Sequence, residues 1–368
     1  MAQASKQLSQ DAAPADSMAH ASAAEPSSTL GRRIRRAVGS RPFVWAILLA
    51  ILALFWVIGL ARGLSVSNLL SLTVWGISLG GIFALGSVGL TLTYGVLKFP
   101  NFSHGALITI GAYIAFEVIR LVPNSLPLRP LSFGWEFLLG LAVCMPVTGL
   151  VAVICDRLVF RHLRNRGSSI VLFAMASLGL AFVLRSLLYL IWGPEFRFYY
   201  HGRANPALQL PMGVHVQADK FFVLGLALVL VTLLFLLLSR TKMGKAMRAT
   251  ADNPDLAMVR GIDTERIIAW TWMIGGGLAA SGGVLFGLAS QLRPEMGFVS
   301  ILLPVFAAVI LGGIGNAFGA LVGALVIGIA WQLTAAATDP TYGPGVAFGI
   351  MILILVIRPQ GLFGGEGV

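Results

Sequence analysis

Residues 240–266, RTKMGKAMRATADNPDLAMVRGIDTER, form a polar interruption between two long apolar segments and decide how the rest of the chain is interpreted. The stretch contains six lysines and arginines and four acidic residues, although charged residues make up only 11% of the chain. So many charges are costly inside a lipid bilayer. We therefore expect the stretch to lie outside the membrane, where another molecule can bind it.

The inner part of this stretch has the signals of a short helix with defined ends. Asn253 can accept a hydrogen bond as the N-cap, Pro254 suits the first helical position, and Asp255 favours the first turn. Arg260 ends the helix, and Gly261 is placed to close its C-terminus. The pattern predicts a helix of about two turns.

The predicted helix has an apolar face made of Leu256, Val259 and, at its edge, Ala257. Such a face is typical of helices that dock in a groove of another protein. The alternative is a loop that its basic residues simply hold on the cytoplasmic side of the membrane. The caps at both ends favour the docking helix, because a retention signal does not need a folded structure.

The overall composition predicts a membrane protein. Hydrophobic residues make up 57% of the 368 residues, and the mean hydropathy is +0.86. A soluble domain of this length cannot bury so much apolar surface. The apolar runs are longer than barrel strands and lack strict alternation, so we expect helical spans. The predicted fold class is an all-α polytopic membrane protein, a bundle of about 8–10 transmembrane helices with a short cytoplasmic helix.

The apolar runs locate the spans. They cover residues 43–61, 69–97, 106–121, 135–154, 169–192, 221–238, 267–290, 302–311, 318–333 and 346–357. The run at 302–311 is short, so eight or nine crossings with a re-entrant segment remain an alternative to ten. Basic clusters before 43–61, after 135–154 and in 240–266 place both termini in the cytoplasm by the positive-inside rule.

Three parts follow from this pattern. Residues 1–41 are expected to be a disordered, basic cytoplasmic tail, since they lack hydrophobic periodicity. Residues 42–358 form the transmembrane domain, which includes the polar loop 240–266. Residues 359–368 are a cytoplasmic C-terminal tail.

Several functional classes are unsupported by the sequence. The net charge of +11 falls mainly in interhelical loops without a base-stacking module, so we expect no nucleic-acid partner. No GxxxxGK[ST] phosphate loop occurs, and no histidine follows the serine of a rhomboid-like protease pattern. Histidines lie in separate loops away from cysteines. We expect no catalytic residue, metal or cofactor.

Two places put polar groups where apolar residues are expected. Arg185 lies well inside a predicted span and either faces a cavity or reaches along the helix to water. Asn101, Ser103 and His104 interrupt the apolar sequence between two spans. They form either a capped turn, with Asn101 or Ser103 as the N-cap, or a polar gate at the edge of a translocation path.

Five ordered motifs give the chain a resemblance to a known family. They are Thr93-Tyr94-Gly95 with Asn101-Phe102-Ser103-His104-Gly105, Met247-Arg248-Ala249 through Asn253, Gly261-Ile262-Asp263, Leu311-Gly312-Gly313-Ile314-Gly315, and Arg358-Pro359-Gln360-Gly361-Leu362. Together they resemble the permease subunits of branched-chain amino acid ABC importers.

The resemblance implies that the capped helix is the coupling helix, seated on a cytoplasmic ATPase subunit in a bacterial inner membrane. It also implies a second permease subunit, a periplasmic substrate-binding protein and a small-molecule substrate. Relatives in this family handle branched-chain amino acids, and others handle urea, amides or aromatic acids. An ATP-independent channel or facilitator remains an alternative from another functional class.

Overall fold

The computed structural model describes residues 41–122, 126–200, 207–210 and 213–364. Most of the predicted N-terminal tail and the last four residues of the predicted C-terminal tail lie outside the described residues. The helices are α1 Arg41–Ala61, α2 Val66–Leu97, α3 His104–Leu121, α4 Trp135–Cys155, α5 Arg161–Asn165, α6 Ile170–Trp192, α7 Ala218–Arg240, α8 Lys242–Asp252, α9 Pro254–Val259, α10 Thr264–Ala289, α11 Leu302–Gly312, α12 Ala317–Ala337 and α13 Gly343–Ile357. The π-helical turns Asp156–Phe160 and Gly297–Ile301 lead into α5 and α11, and Pro340–Tyr342 is a 3-10 turn.

The bundle has two distinguishable ends. One end holds the antiparallel hairpin of β1 (Ala207–Leu210) and β2 (Val214–Gln217), and we call it the hairpin end. The hairpin packs on α2, where the backbone N–H of His215 donates to Ser71 Oγ at 3.2 Å. The opposite end carries α8 and α9, and we call it the basic end. The small sheet is the exception to the predicted all-α class, which the structure otherwise confirms.

Eight of the described helical segments are long and apolar enough to cross a membrane, and two shorter apolar ones, Gly297–Gly312 and Gly343–Ile357, accompany them. Both shorter segments also connect the two ends, because α12 begins at the basic end and α13 returns there. The spans agree with the predicted apolar runs, since length and hydropathy are local properties of the sequence.

The first and last described segments meet at the basic end. The ring centroids of Trp45 at the start of α1 and Phe363 after α13 are 6.2 Å apart. At the hairpin end, Gly59 of α1 approaches Leu69 and Ala336. Both ends of the described chain therefore lie on the side that carries the polar stretch.

Helix α2 is continuous over 32 residues, about 48 Å at the standard rise, despite its glycines. Those glycines allow close approach of α12 and do not break the helix. A Cβ added at Gly80 would lie 2.8 Å from Leu325 Cα, and one at Gly328 would lie 2.3 Å from Gly80 N. Small residues at these positions let the two backbones touch, which is how membrane helices gain packing energy.

Helix α10 lies at the centre of the bundle, against α2, α3 and α4. Its predicted small-residue run packs as expected. A Cβ at Gly283 would lie 2.0 Å from the Ile108 carbonyl oxygen, and one at Gly276 would lie 2.9 Å from Ala152 Cβ. The glycines are therefore required by packing.

One local prediction was wrong. The basic segment after α4 was expected to be a loop, but it continues as a π-helical turn and α5, because Arg164 forms ion pairs with Asp156 (3.1 Å) and Glu265 (3.1 Å).

Candidate functional site

The predicted cytoplasmic helix forms as α9, with its caps in place. Asn253 Oδ1 accepts a hydrogen bond from the Leu256 backbone N–H at 2.9 Å. Pro254 occupies the first turn together with Asp255, and Arg260 is the C-cap. Gly261 follows with φ +82°, the left-handed conformation that ends many helices. The sequence signals for both ends of this helix are confirmed.

Three large apolar side chains of α9 are exposed. Leu256, Met258 and Val259 are 55%, 52% and 83% exposed. We call these three residues the docking face. Ala257, which the sequence placed at the edge of this face, instead points inward and is buried, because it packs α9 against the rest of the protein. Met258 belongs to the exposed apolar face instead of Ala257.

Helix α8 was missed by the sequence analysis. Thr241 caps it by accepting a hydrogen bond from the Gly244 backbone N–H at 3.0 Å, and Met247 is buried. A Cβ at Gly244 would lie 2.3 Å from the Leu238 carbonyl oxygen, so α8 folds tightly back on α7. It also contacts α2 and α10. Helix α8 therefore connects the docking face to three helices of the bundle.

Asn253 joins α8 to α9. Its backbone N–H donates to the Ala249 carbonyl at 3.1 Å and so ends α8, while its side chain begins α9. One residue thus sets the angle between the two helices.

Asn101 and Ser103 lie in a buried, non-helical segment, and His104 follows them as the first residue of α3. All three are about 1% exposed. His104 Nε2 lies 2.9 Å from the Gly86 carbonyl oxygen. Gly86 is eleven residues before the end of α2 at Leu97, which corresponds to about 16 Å along the helix. The segment between α2 and α3 therefore turns back into the bundle. Helix α3 begins in the interior and not at a surface.

The predicted N-cap of α3 takes a different form. Ser103 occupies the N-cap position, but its side chain makes no capping bond. Asn101 Oδ1 instead accepts from the Ser103 backbone N–H at 3.0 Å and from the Ser103 hydroxyl at 2.6 Å. Ser177 of α6 holds the segment just before α3 in place. Its Oγ accepts a hydrogen bond from the Phe102 backbone N–H at 3.1 Å and lies 3.4 Å from the Pro100 carbonyl oxygen.

Arg185 lies apart from these residues. It is on α6, two helical turns from Ser177 toward the hairpin end, with its guanidinium 5.4 Å from the Phe182 ring centroid. It is partly exposed and one turn from Tyr189, whose hydroxyl donates to Glu295. The structure therefore separates Arg185 from Asn101, Ser103 and His104.

A cavity of about 390 Å³ opens at the hairpin end. We call it the hairpin-end cavity. Its wall comes from α2, the start of α7, the end of α10 and the last third of α12. Polar groups that line it are Ser78, Gln217, Asp219, Lys220, Ser290, Ser300 and Gln332.

A second cavity of about 680 Å³ lies at the basic end, and we call it the basic-end cavity. It is lined by the other ends of α2, α7 and α12, together with Met247, Arg248, Ala251 and Asp252 of α8. Between the two cavities α2 is buried from Ala84 to Leu90. The two cavities are thus separated by closely packed helices.

Asn101, Ser103, His104 and Arg185 do not line either cavity. The residues that do line them were missed by the sequence analysis. Lys220 was the available signal, because it is a cation at the boundary of a predicted span, next to Asp219. The ring of Trp75, whose centroid lies 3.3 Å from the Lys220 ammonium, is distant in sequence and could not be identified from a local pattern.

Comparisons with known proteins agree on one family. A family model described as "Branched-chain amino acid transport system / permease component" matches residues 72–355. The high-affinity branched-chain amino acid transport system permease protein LivH of Escherichia coli (strain K12) is 32% identical over 303 residues, which cover 78% of this chain and 93% of LivH.

The corresponding permease protein BraD of Pseudomonas aeruginosa is 31% identical over 304 residues, covering 78% of this chain and 94% of BraD. The permease protein LivM of Escherichia coli (strain K12) is 26% identical over 344 residues, covering 87% of this chain and 74% of LivM. No solved structure gave a significant match.

Proposed function

The chain belongs to the family of branched-chain amino acid transport system permease components, and from that premise we propose that it forms the translocation path for branched-chain amino acids in an ABC importer. Energy comes from ATP hydrolysed by partner subunits. The observation that carries the proposal is an exposed, capped, apolar helix joined through α8 to the wall of a cavity.

The basic end is proposed to face the cytoplasm of a bacterial cell, with the protein in the inner membrane. It carries most of the described cations that flank the spans, including Arg157, Arg161, Arg164, Arg166, Arg240, Lys242, Lys245, Arg248, Arg260, Arg266 and Arg358. The positive-inside rule places such an end in the cytoplasm. Both termini are then cytoplasmic, since α1 starts and α13 ends there.

The docking face is proposed to seat in a groove of the ATPase subunit. Three exposed apolar side chains on one short helix are costly in water, and contact with a partner removes that cost. Asn253, Pro254, Asp255, Arg260 and Gly261 keep the helix intact under load. A helix of six residues without caps is marginal and would unwind instead of transmitting movement.

The two cavities are proposed to be the outward-facing and inward-facing parts of one path. They lie at opposite ends of the same helices, α2, α7 and α12, and the packed middle of α2 separates them. Movement of α8 changes the wall of the basic-end cavity directly. Opening the middle section would then connect the cavities in alternation.

Asn101, Ser103 and His104 are retained as candidate gate residues. Asn101 and Ser103 lie in a non-helical segment inside the bundle that leads into His104, and such segments are tolerated at membrane depth only where protein or a cavity surrounds them. Because all three are buried and line neither cavity, a gating role requires that this segment moves. Arg185 as a path residue stays a prediction.

The proposed assembly contains two ATPase subunits and a second permease subunit, which LivM suggests because it is a related but different permease. A periplasmic substrate-binding protein delivers the small-molecule substrate. Urea, amides and aromatic acids remain alternative cargo for the same class of importer.

Reconstitution tests the proposal. In proteoliposomes that contain the complete importer and its binding protein, leucine uptake should require ATP inside the cytoplasmic compartment. Vesicles that contain the permease subunits without the ATPase should show no uptake. Uptake without the ATPase would instead identify a facilitator and refute the importer.

A further inference from the structure

Lys220 is the cation of the hairpin-end cavity. Its ammonium lies 3.3 Å from the centroid of the Trp75 ring, and its side chain is half-buried. Among the residues that the structure describes, no carboxylate lies within ion-pairing distance of this ammonium. A half-buried charge that rests on an aromatic face retains its capacity to bind an anion.

Asp219, the acidic residue beside it, is already engaged elsewhere. It is 5% exposed, and its carboxylate accepts from the Ser132 backbone N–H at 2.9 Å and from the Ser132 hydroxyl. These bonds hold the start of α7 against the segment before α4. Asp219 also lines the cavity, but both of its carboxylate oxygens accept hydrogen bonds from Ser132, so the Lys220 ammonium is the charged group that remains available to an anion.

The remaining wall is apolar or weakly polar. Aromatic and aliphatic side chains make up most of it, namely Trp75, Leu79, Ile82, Phe83, Val223, Phe286, Leu288 and Trp331. Side-chain oxygens of Ser290, Ser300 and Gln332 provide hydrogen-bond acceptors. A volume of about 390 Å³ lies within the range of roughly 300–1,000 Å³ that is usual for small-molecule sites.

We infer that the hairpin-end cavity is a substrate-binding site in the permease itself, where Lys220 binds the carboxylate of a small molecule whose apolar side chain packs on the aromatic and aliphatic wall. The inference rests on the proposed function and names the ligand as a branched-chain α-amino acid. The ammonium group of this amino acid donates hydrogen bonds to the side-chain oxygens of the serines and the glutamine. Urea and short amides have neither the carboxylate nor the apolar side chain, so the site excludes them.

Binding to the complete permease–ATPase complex in nanodiscs, without the binding protein, tests this site. The probe is radiolabelled leucine in equilibrium dialysis, with benzoate and urea as competitors. The variants are Lys220→Met, Lys220→Arg and, as a matched control, Arg62→Met. Arg62 is an exposed cation at the same end of the bundle, outside the cavity.

Leucine should bind the unaltered complex, and Lys220→Met should weaken binding about tenfold or more, because bonds to charged groups are the strongest single polar contacts. Lys220→Arg should retain most of the affinity, Arg62→Met should behave as the unaltered protein, and urea should not compete. Equal binding by Lys220→Met, or equal losses in Lys220→Met and Lys220→Arg, would overturn the inference.

Two further outcomes separate the possible ligands and the two proposals. Binding of radiolabelled benzoate by a complex that binds no leucine would overturn the amino acid as the ligand. Absence of ATP-dependent leucine uptake by the unaltered importer would refute the proposed function. Normal uptake by the Lys220→Met importer, with saturating binding protein, would refute this site while leaving the importer in place.

Discussion

Replacement of Gly261 separates the conformation of α9, the proposed coupling helix, from its surface chemistry. Gly261 has φ +82°, and a Cβ built on it meets no heavy atom within 4 Å. A substitution there is therefore resisted by the backbone and not by crowding. In the left-handed region an ordinary L-residue costs about 1–2 kcal/mol, and a β-branched residue lies at the upper end.

This conformational cost opposes the two hydrogen bonds that close the end of α9. The Gly261 N–H donates to the Met258 carbonyl at 2.9 Å, and the Ile262 N–H donates to the Ala257 carbonyl at 3.0 Å. A loss of about 1–2 kcal/mol lowers the population of the closed helix end roughly 5- to 30-fold. Gly261→Val should therefore lower the leucine taken up per ATP hydrolysed, while membrane insertion is unchanged.

The matched control is Gly261→Asn, since asparagine tolerates the left-handed region far better than valine. Both variants add a side chain at the same exposed position. The assay measures uptake and phosphate release in the same proteoliposomes, and it measures the amount of inserted permease separately. An unchanged ratio in Gly261→Val would refute the reasoning, and so would an equal fall in both variants.

Three other predictions use the same preparation. Asn253→Ala removes the side-chain cap of α9 and should destabilise this helix by about 0.5–2 kcal/mol, which lowers the uptake-to-ATP ratio. Asn253→Asp keeps the acceptor oxygen and should retain the ratio. An equal fall of the ratio in both variants would argue against capping. Val259→Asp puts a charge into the proposed groove and should strongly reduce the amount of ATPase subunit that co-purifies, whereas the nearly isosteric Val259→Thr should reduce it little. An unreduced amount of ATPase with Val259→Asp would exclude the docking face as the contact surface. Gly328→Ala places a Cβ 2.3 Å from Gly80 N and should lower the thermal unfolding midpoint of the detergent-solubilised protein, with an overpacking cost of about 1–3 kcal/mol or more. The control Gly349→Ala in α13, where no heavy atom lies within 4 Å, should leave the midpoint unchanged or raised, and an equal fall there would contradict close packing as the cause.

The sequence predicts those parts of the fold that depend on local properties. The spans follow from the length of apolar runs, and both ends of α9 follow from Asn253 and Gly261, whose roles are local. Helix α8 was missed because small and charged residues weaken its apolar pattern, although Met247 marks its buried side. The hairpin was missed because two four-residue strands inside a long loop carry little periodicity.

Other features depend on tertiary packing and have no local signal. The segment before α3 looks like a surface turn in sequence, but Phe99 packs against Phe160 and Phe173, with ring centroids 5.1 and 5.0 Å away, and this aromatic contact holds it in the interior. The contact of Lys220 with Trp75 joins residues from two different spans. Hydropathy identifies each span but not the face that it turns toward a neighbour.

The arrangement at the basic end explains how a short polar stretch could have the large role that we propose for it. Asn253 ends α8 and begins α9, so a displacement of the docking face must rotate α8 about that junction or break its hydrogen bonds. Helix α8 cannot absorb the movement by sliding, because Gly244 lies in backbone contact with the end of α7. Met247, Arg248 and Asp252 of the same helix line the basic-end cavity. Under the proposed mechanism, work applied to the docking face reaches the cavity wall through one capped helix, and that mechanism requires a rigid junction at Asn253.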